Sequence, residues 1–413
     1  MSRRVLLLAA LTLASPAYPA AVLIRDATVH TQTSAGVLPH TDVLVRDGHI
    51  AAIGPALSVP GDAQVIEAQG RPLTPGLFGG IGHLGLEEIG IEPTVDDYSL
   101  KLGSMRPEFD VTPAFNPDSV VLGVGRLGGI TFAQLAPSPS KGGSIIAGQG
   151  ALVYLDGRIA APRALFVAAG GDANDVDGGS RAALYMLFGQ AMGEARSPKA
   201  LLPGDTRLLT PNGRQALSGY LSGHGLIVFD VERASDIRQL LQLAQRDQLH
   251  IALHGAAEAW RVAGELAQAH VPVILDPLDD LPESFDMVGA TLENAALLHR
   301  AGVKIAFSLT DTSPHNMRKV RQAAGIAVAH GLPAEDALAA LTRNPAEIFG
   351  VADRNGTLER GHPADLVLWS GDPLEVTTLA DAVFVQGVAQ PMTSRQTELR
   401  DRYLPKLRAN AAR

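Results

Sequence analysis

The chain carries 12 histidines and 43 acidic side chains but no cysteine. Thiolate metal sites, disulfides and cysteine nucleophiles are therefore excluded, and any metal chemistry must run on imidazole and carboxylate donors. A hydrolytic metal site needs such donors at strand ends, an open position for water and a base to take the proton. His254 follows a short apolar run at 251–253 and precedes Gly255, so it sits where a strand ends. A polar cap on the following loop is the alternative role for it. Other chemistries find less support. No G-x-S-x-G elbow is present. Residues 141–150 are glycine-rich and could bring backbone N–H groups to an anion, but they lack the Gly-Lys-Ser/Thr ending of a phosphate-binding loop. A tight loop between strands fits them better. Glu87, Glu88, Glu92, Asp96 and Asp97 form an acidic cluster that reads as a solvated loop, with the mouth of a pocket as the other option.

These residues need a scaffold, and the chain is long enough to build one. At 413 residues it accommodates two or three domains, or one large barrel with an appendage. A hydrophobic share of 46% with 19% charged residues excludes a disordered chain. Lys plus Arg is 34 against 43 acidic residues, a net charge of -9. Nucleic-acid and anionic-membrane binding are disfavoured by that balance. Arg3 and Arg4 precede an apolar run at 5–14, and small residues and prolines follow. This has the form of a secretory leader cleaved between Ala17 and Ala21, so the protein is expected to be exported, periplasmic or secreted. No later stretch reaches about 18 uninterrupted apolar residues, so no stable membrane span is expected once the leader is removed.

Apolar and polar residues alternate at 22–30, 42–46 and 49–53, with Asp47-Gly48 as a hairpin turn, and a short strand follows at 64–67. Similar signals return at 364–369 and 381–385, so both ends of the chain are expected to build one β-sandwich. Between them, strands at 76–81, 130–135, 151–155, 165–168, 226–229, 250–253, 271–275 and 304–308 alternate with helices at 180–195, 234–246, 256–270, 293–301, 317–330 and 334–342. Repeated βα units of this kind predict a (β/α)8 TIM-like barrel of parallel strands with its site at the strands' C-terminal ends. A doubly wound open sheet is the alternative, weakened because no G-x-G-x-x-G follows the first strand. Residues 199–213 read as an irregular loop. The expected division is a leader at 1–20, a sandwich from 21–74 and 356–395, a barrel at 75–355 and a helical tail at 396–413.

Several stretches carry a family resemblance. Residues 47–54 (DGHIAAIG), 64–67 (QVIE) and 74–77 (TPGL) look like the metal-dependent amidohydrolase superfamily, and most like its imidazolonepropionase-like branch. The C-terminal part is similar to it as well, with ALAALT running into RNPA at 337–346 and GTLERGHPADLV at 356–367. The resemblance implies a barrel with a two-ended β-sandwich, and hydrolysis of C–N bonds with one or two divalent metals. It also implies positions for the ligands. A His-x-His pair is expected after Pro75-Gly76-Leu77, where this chain has Ile81 and His83. A bridging Lys is expected near 164–170, where Phe166 takes its place. A second His-x-His is replaced by Asp230 and Glu232, which can bind a metal or favour a helix N-terminus. His254 matches the sixth-strand histidine. Asp311 matches the aspartate that binds metal and acts as general base, with a helix N-cap as its other role. His315 is close by, as a substrate contact or a solvated loop residue. The implied site is one divalent ion, Zn²⁺ or Mn²⁺, on His83, His254 and Asp311, with Asp230 and Glu232 as weaker candidates. A catalytically silent relative that binds a small molecule or partner in the same cavity is the alternative.

Overall fold

The structure is a computed structural model that describes residues 21–88, 90, 92, 94, 96–171, 176, 179–197, 206–310 and 313–411. The expected leader, residues 199–205 of the expected 199–213 loop and Asp311 lie outside the described residues. Five strands open the chain: β1 Ala21–His30, β2 Val37–Arg46, β3 His49–Gly54, β4 Ala63–Glu67 and β5 Pro72–Pro75. Eight more follow: β6 Leu77–Gly82, β7 Ile130–Leu135, β8 Ile146–Tyr154, β9 Ile159–Ala168, β10 Leu226–Val231, β11 Ile251–Gly255, β12 Val273–Leu275 and β13 Ile305–Phe307. Three close the set: β14 Leu366–Trp369, β15 Ala380–Val385 and β16 Val388–Ala389.

Strands from both chain ends join one sheet, ordered β16-β15-β14-β5-β1-β2-β3, with β4 paired to β1. The joint between the ends is the antiparallel pair of β5 with β14, Thr74 opposite Val367. Val22, Ile24, Val43, Leu73, Leu366 and Phe384 are among the residues of its apolar core. The pairing gives one continuous sheet from both termini rather than two separate ones.

The middle strands form a second eight-stranded sheet, in the order β6 through β13. Helices cover its outer face, among them Arg181–Arg196, Ala234–Asp247, Val320–Ala329 and Ala334–Leu341. Together these make a TIM-like α/β barrel. Its seam lies between β13 and β6, where the buried Ser308 hydroxyl accepts from the Ile81 N–H at 2.9 Å. Ser308→Ala would strand that buried donor, and we expect it to cost about 1–3 kcal/mol in a urea titration. Stability within about 0.5 kcal/mol of wild type would show that the seam does not depend on this bond.

All eight expected barrel strands are present, but one expectation fails. β8 runs antiparallel to both β7 and β9, so the barrel is not all-parallel. β8 and β9 form a hairpin that turns at Asp156-Gly157, with Gly157 at φ +96, in place of a helical crossover. Three α-helices were also not anticipated, one of them the short Arg343–Ile348. Val120–Leu127 starts at the N-cap Ser119, and Pro211–Leu221 begins inside the expected irregular loop.

Candidate active site

Side-chain alternation along the strands builds the site. Successive residues point to opposite faces, so every second residue faces the barrel interior. Leu226 and Val228 point inward, Ala252 does so on β11, Ile274 on β12 and Ala306 on β13. Phe78, Phe132 and Phe349 pack between them, with ring centroids 5.4 and 5.8 Å from Phe78. The same inward series, continued to the C-terminal strand ends, reaches Asp230, His254, Asp276 and Ser308, and from Ile81 it reaches His83. Each inward row is therefore apolar below and polar at the top.

A small cavity of about 60 Å³ opens there, lined by His83, Ser138, Phe166, Asp230 and His254 together with Ile81, Val228 and small residues. The structure thus brings His83 and His254, from opposite parts of the chain, onto one cavity with Asp230. Phe166 and Ile81 present hydrocarbon to it, as the resemblance implied.

His83 is buried and held on three sides. Its Nδ1 lies 3.2 Å from Glu87 Oε2 and its Nε2 lies 2.8 Å from Ser138 Oγ. The Tyr98 ring stacks on it at 3.6 Å, with planes 5° apart. The Tyr98 carbonyl also accepts from the Ser138 N–H at 3.0 Å. With Glu87 ionised, Nδ1–H would donate to the carboxylate and Nε2 would accept from the Ser138 hydroxyl. Burial lowers the His83 pKa to about 4, which keeps the ring neutral at pH 7. Glu87, expected in a solvated acidic loop, is itself only 6% exposed.

The opposite wall is acidic. His254 Nδ1 lies 3.4 Å from Asp230 Oδ1. Burial opposes protonation of His254, but the hydrogen bond and charge of Asp230, with Glu232 and Asp276 nearby, outweigh it and raise its pKa. Glu232 accepts from the Ala257 N–H at 2.8 Å. Burial, with the neighbouring Asp230 charge, pushes its carboxyl up to about 8. The backbone must pass close to this carboxyl: a Cβ at Gly255, which has φ +77, would lie 2.1 Å from Glu232 Oε1. Asp230 thus lines the cavity, and Glu232 stands behind it against Gly255 and Ala257. The helix that follows them starts at Ala234 without a side-chain cap.

Asp276 was not singled out in the sequence. It accepts from the N–H groups of Leu278 and Thr310 at 2.9 and 2.8 Å, so it fixes the residue before Asp311. Burial raises its pKa against those donors, and burial beside Asp276 pushes Asp279 to about 7. An aspartate directly after the apolar run at 271–275 is the sequence signal that could have found Asp276. Ser138 had no such signal. His315 lies in the short 3-10 turn Pro314–Lys319, and no contact of its ring with the cavity is seen.

Among the described residues, no three His, Asp or Glu side chains are grouped so as to hold a metal ion. The arrangement supplies instead a neutral buried imidazole, a second imidazole biased to its charged form, and carboxyls that retain protons at neutral pH. These are the elements of general acid–base chemistry on a small bound molecule.

Comparison with known proteins gives a consistent picture. Residues 241–394 match the model of the amidohydrolase family. The amidohydrolase tasK of Hapsidospora irregularis is 24% identical over 394 residues, covering 84% of this chain and 40% of that protein. The imidazolonepropionase of Mesorhizobium japonicum is 31% identical over 158 residues, 34% of this chain and 37% of that enzyme. The matches thus span less than half the length of these two curated relatives. A crystal structure of an amidohydrolase from Thermotoga maritima superposes with a TM-score of 0.79 at 25% identity, over 91% of this chain and 100% of that one.

Proposed function

The chain belongs to the metal-dependent amidohydrolase superfamily, on its imidazolonepropionase-like branch, and from that premise we propose that it is an exported hydrolase of a non-peptide C–N bond in a small molecule. The observation that carries this reading is the convergence of His83, Asp230 and His254 on one strand-end cavity.

The family's metal would be one divalent ion, zinc or manganese, on His83, His254 and Asp311, with Asp230 and Glu232 as further donors. The described residues do not fit such an ion. Both ring nitrogens of His83 are already engaged. Ile81 and Phe166 offer no donor atom, and among the described residues no three donor side chains are grouped. No step is therefore routed through a metal.

The reaction is written on the chain's own side chains. Asp311 follows Thr310, which Asp276 pins in place, and it accepts the proton of the attacking water. His254, biased towards its charged form by Asp230, donates to the carbonyl oxygen where negative charge develops. Glu232, protonated at neutral pH, returns a proton to the leaving nitrogen. The apolar floor of Phe166, Ile81 and Val228 favours a compact ring or chain over an extended polymer.

The test is a panel of linear and cyclic amides offered to the leaderless protein, with Asp311→Asn and His254→Ala alongside and metal content read by mass spectrometry. We expect turnover at least about 100-fold lower in both variants. A folded wild type that hydrolyses none of the panel would sink this reading in favour of a silent binder in the same cavity, which the replacements at Ile81 and Phe166 favour. Stoichiometric zinc or manganese that is lost in His83→Ala would reinstate the ion on His83.

A further inference from the structure

On the wall of the cavity opposite His254, three side chains stand in a chain of hydrogen bonds. Ser138 Oγ meets His83 Nε2 at 2.8 Å, and His83 Nδ1 meets Glu87 Oε2 at 3.2 Å. Both separations lie within, or at the edge of, the reach of a working nucleophile, base and orienting carboxylate. The burial pattern suits those roles. His83 and Glu87 are 4% and 6% exposed, whereas Ser138 is partly exposed and lines the cavity. The spacing accommodates the tautomer this role needs, with Nδ1–H towards the carboxylate and the Nε2 lone pair towards the hydroxyl. Tyr98 holds both partners, by stacking on the His83 ring and by accepting from the Ser138 N–H.

We propose that Ser138, His83 and Glu87 form a metal-independent acyl-transfer site, in which Ser138 is the nucleophile towards a small carboxylic ester or activated amide. Ser138 Oγ bonds to the acyl carbon while His83 Nε2 takes the hydroxyl proton. Collapse of the tetrahedral intermediate breaks the bond to the leaving alcohol or amine, which receives that proton from His83. Water then attacks the acyl-serine, gives its proton to Nε2 and releases the carboxylic acid, and His83 returns the proton to Ser138. Glu87 touches no substrate and is a positioning residue that fixes the ring and its tautomer. Residue 139 is a proline, so the N–H that often meets the oxyanion next to a nucleophile is missing here. Acylation is accordingly expected to be slow, and a trapping reagent reads it better than turnover does.

This site goes beyond the C–N hydrolysis proposed above and does not depend on it. The probe is an alkyl fluorophosphonate, whose phosphorus bonds to the serine oxygen as fluoride ion leaves. Full-length leaderless protein is labelled with and without a chelator, and the adduct is located by tandem mass spectrometry. The expected result is a single adduct on Ser138, unaffected by the chelator and lost in Ser138→Ala. Labelling of His83→Gln is expected to be about 100-fold slower, and that of Glu87→Gln about 10-fold slower. An unlabelled Ser138 in wild type with a native circular dichroism spectrum overturns the proposal, and this arm needs no variant to fold. Equal labelling rates in wild type and a folded His83→Gln overturn it as well. Labelling of Ser138 without hydrolysis of any amide would count against the preceding reading alone, and amide hydrolysis with Ser138 inert would count against this one alone.

Discussion

Replacing Glu232 by glutamine is expected to raise the melting temperature at pH 8.5 and to leave it nearly unchanged at pH 4. The folded protein pushes this carboxyl up to about 8, first through burial and then through the Asp230 charge beside it. The unfolded chain releases the same proton in the ordinary carboxylate range. Whatever the neutral carboxyl contributes to stability is therefore fully present below that range and is lost as pH rises through it towards 8. At about 1.4 kcal/mol per pH unit, the displacement has a ceiling of about 4–5 kcal/mol, and solvent reaching the half-buried group reduces it to about 2–3 kcal/mol. Glutamine removes the titration and keeps an oxygen for the Ala257 N–H. Thermal melts of both proteins across pH 4 to 9 give the answer. Parallel curves at all pH values would show that Glu232 titrates normally, and would also remove the neutral acid from the proposed reaction.

A large loss of stability is expected from Gly129→Ala. Gly129 has φ +79, a region that disfavours any side chain, and its added Cβ would lie 2.2 Å from the Trp369 ring. Trp369 cannot retreat easily. It is fully buried, its Nε1–H donates to Thr74 Oγ1 at 2.9 Å, and the Arg321 guanidinium lies 5.5 Å from its ring centre. The backbone penalty of about 1–2 kcal/mol and the overpacking of about 1–3 kcal/mol sum to about 2–5 kcal/mol. Trp369→Ala opens a cavity at the same joint and is expected to cost about 3–5 kcal/mol. Urea titration measures both. A Gly129→Ala protein within 1 kcal/mol of wild type would mean that the joint between the terminal sheet and the barrel is looser than its packing indicates.

Much of the scaffold can be read in the sequence because period and composition report burial directly. The apolar runs of the barrel strands mark all eight positions. They do not mark direction, since a strand buried on both faces reads the same either way. The reversal of β8 was signalled only by Asp156-Gly157, a turn pair between two apolar runs. The helix at Pro211–Leu221 was signalled by Thr210 followed by Pro211, an N-cap with proline in the first turn. In the site, His254 and Asp230 were legible because they end strands, and strand alternation aims them inward. The Ser138–His83 contact was not legible. It joins positions 55 apart in sequence through a loop whose course no periodicity encodes, and Glu87 could be read as a pocket residue only once its burial was known.

The joint of β5 with β14 also has a consequence in time. Thr74 and Trp369 are 295 positions apart. At ribosomal rates of about 5–20 residues per second, the partner of β5 emerges roughly 15–60 s after β5 itself. Throughout that interval β1 to β5 have an open edge with unpaired N–H and C=O groups and no neighbour to cover it. Until synthesis is complete, this segment is a natural client for a holding chaperone, and a truncated product that stops before residue 366 keeps that open edge permanently.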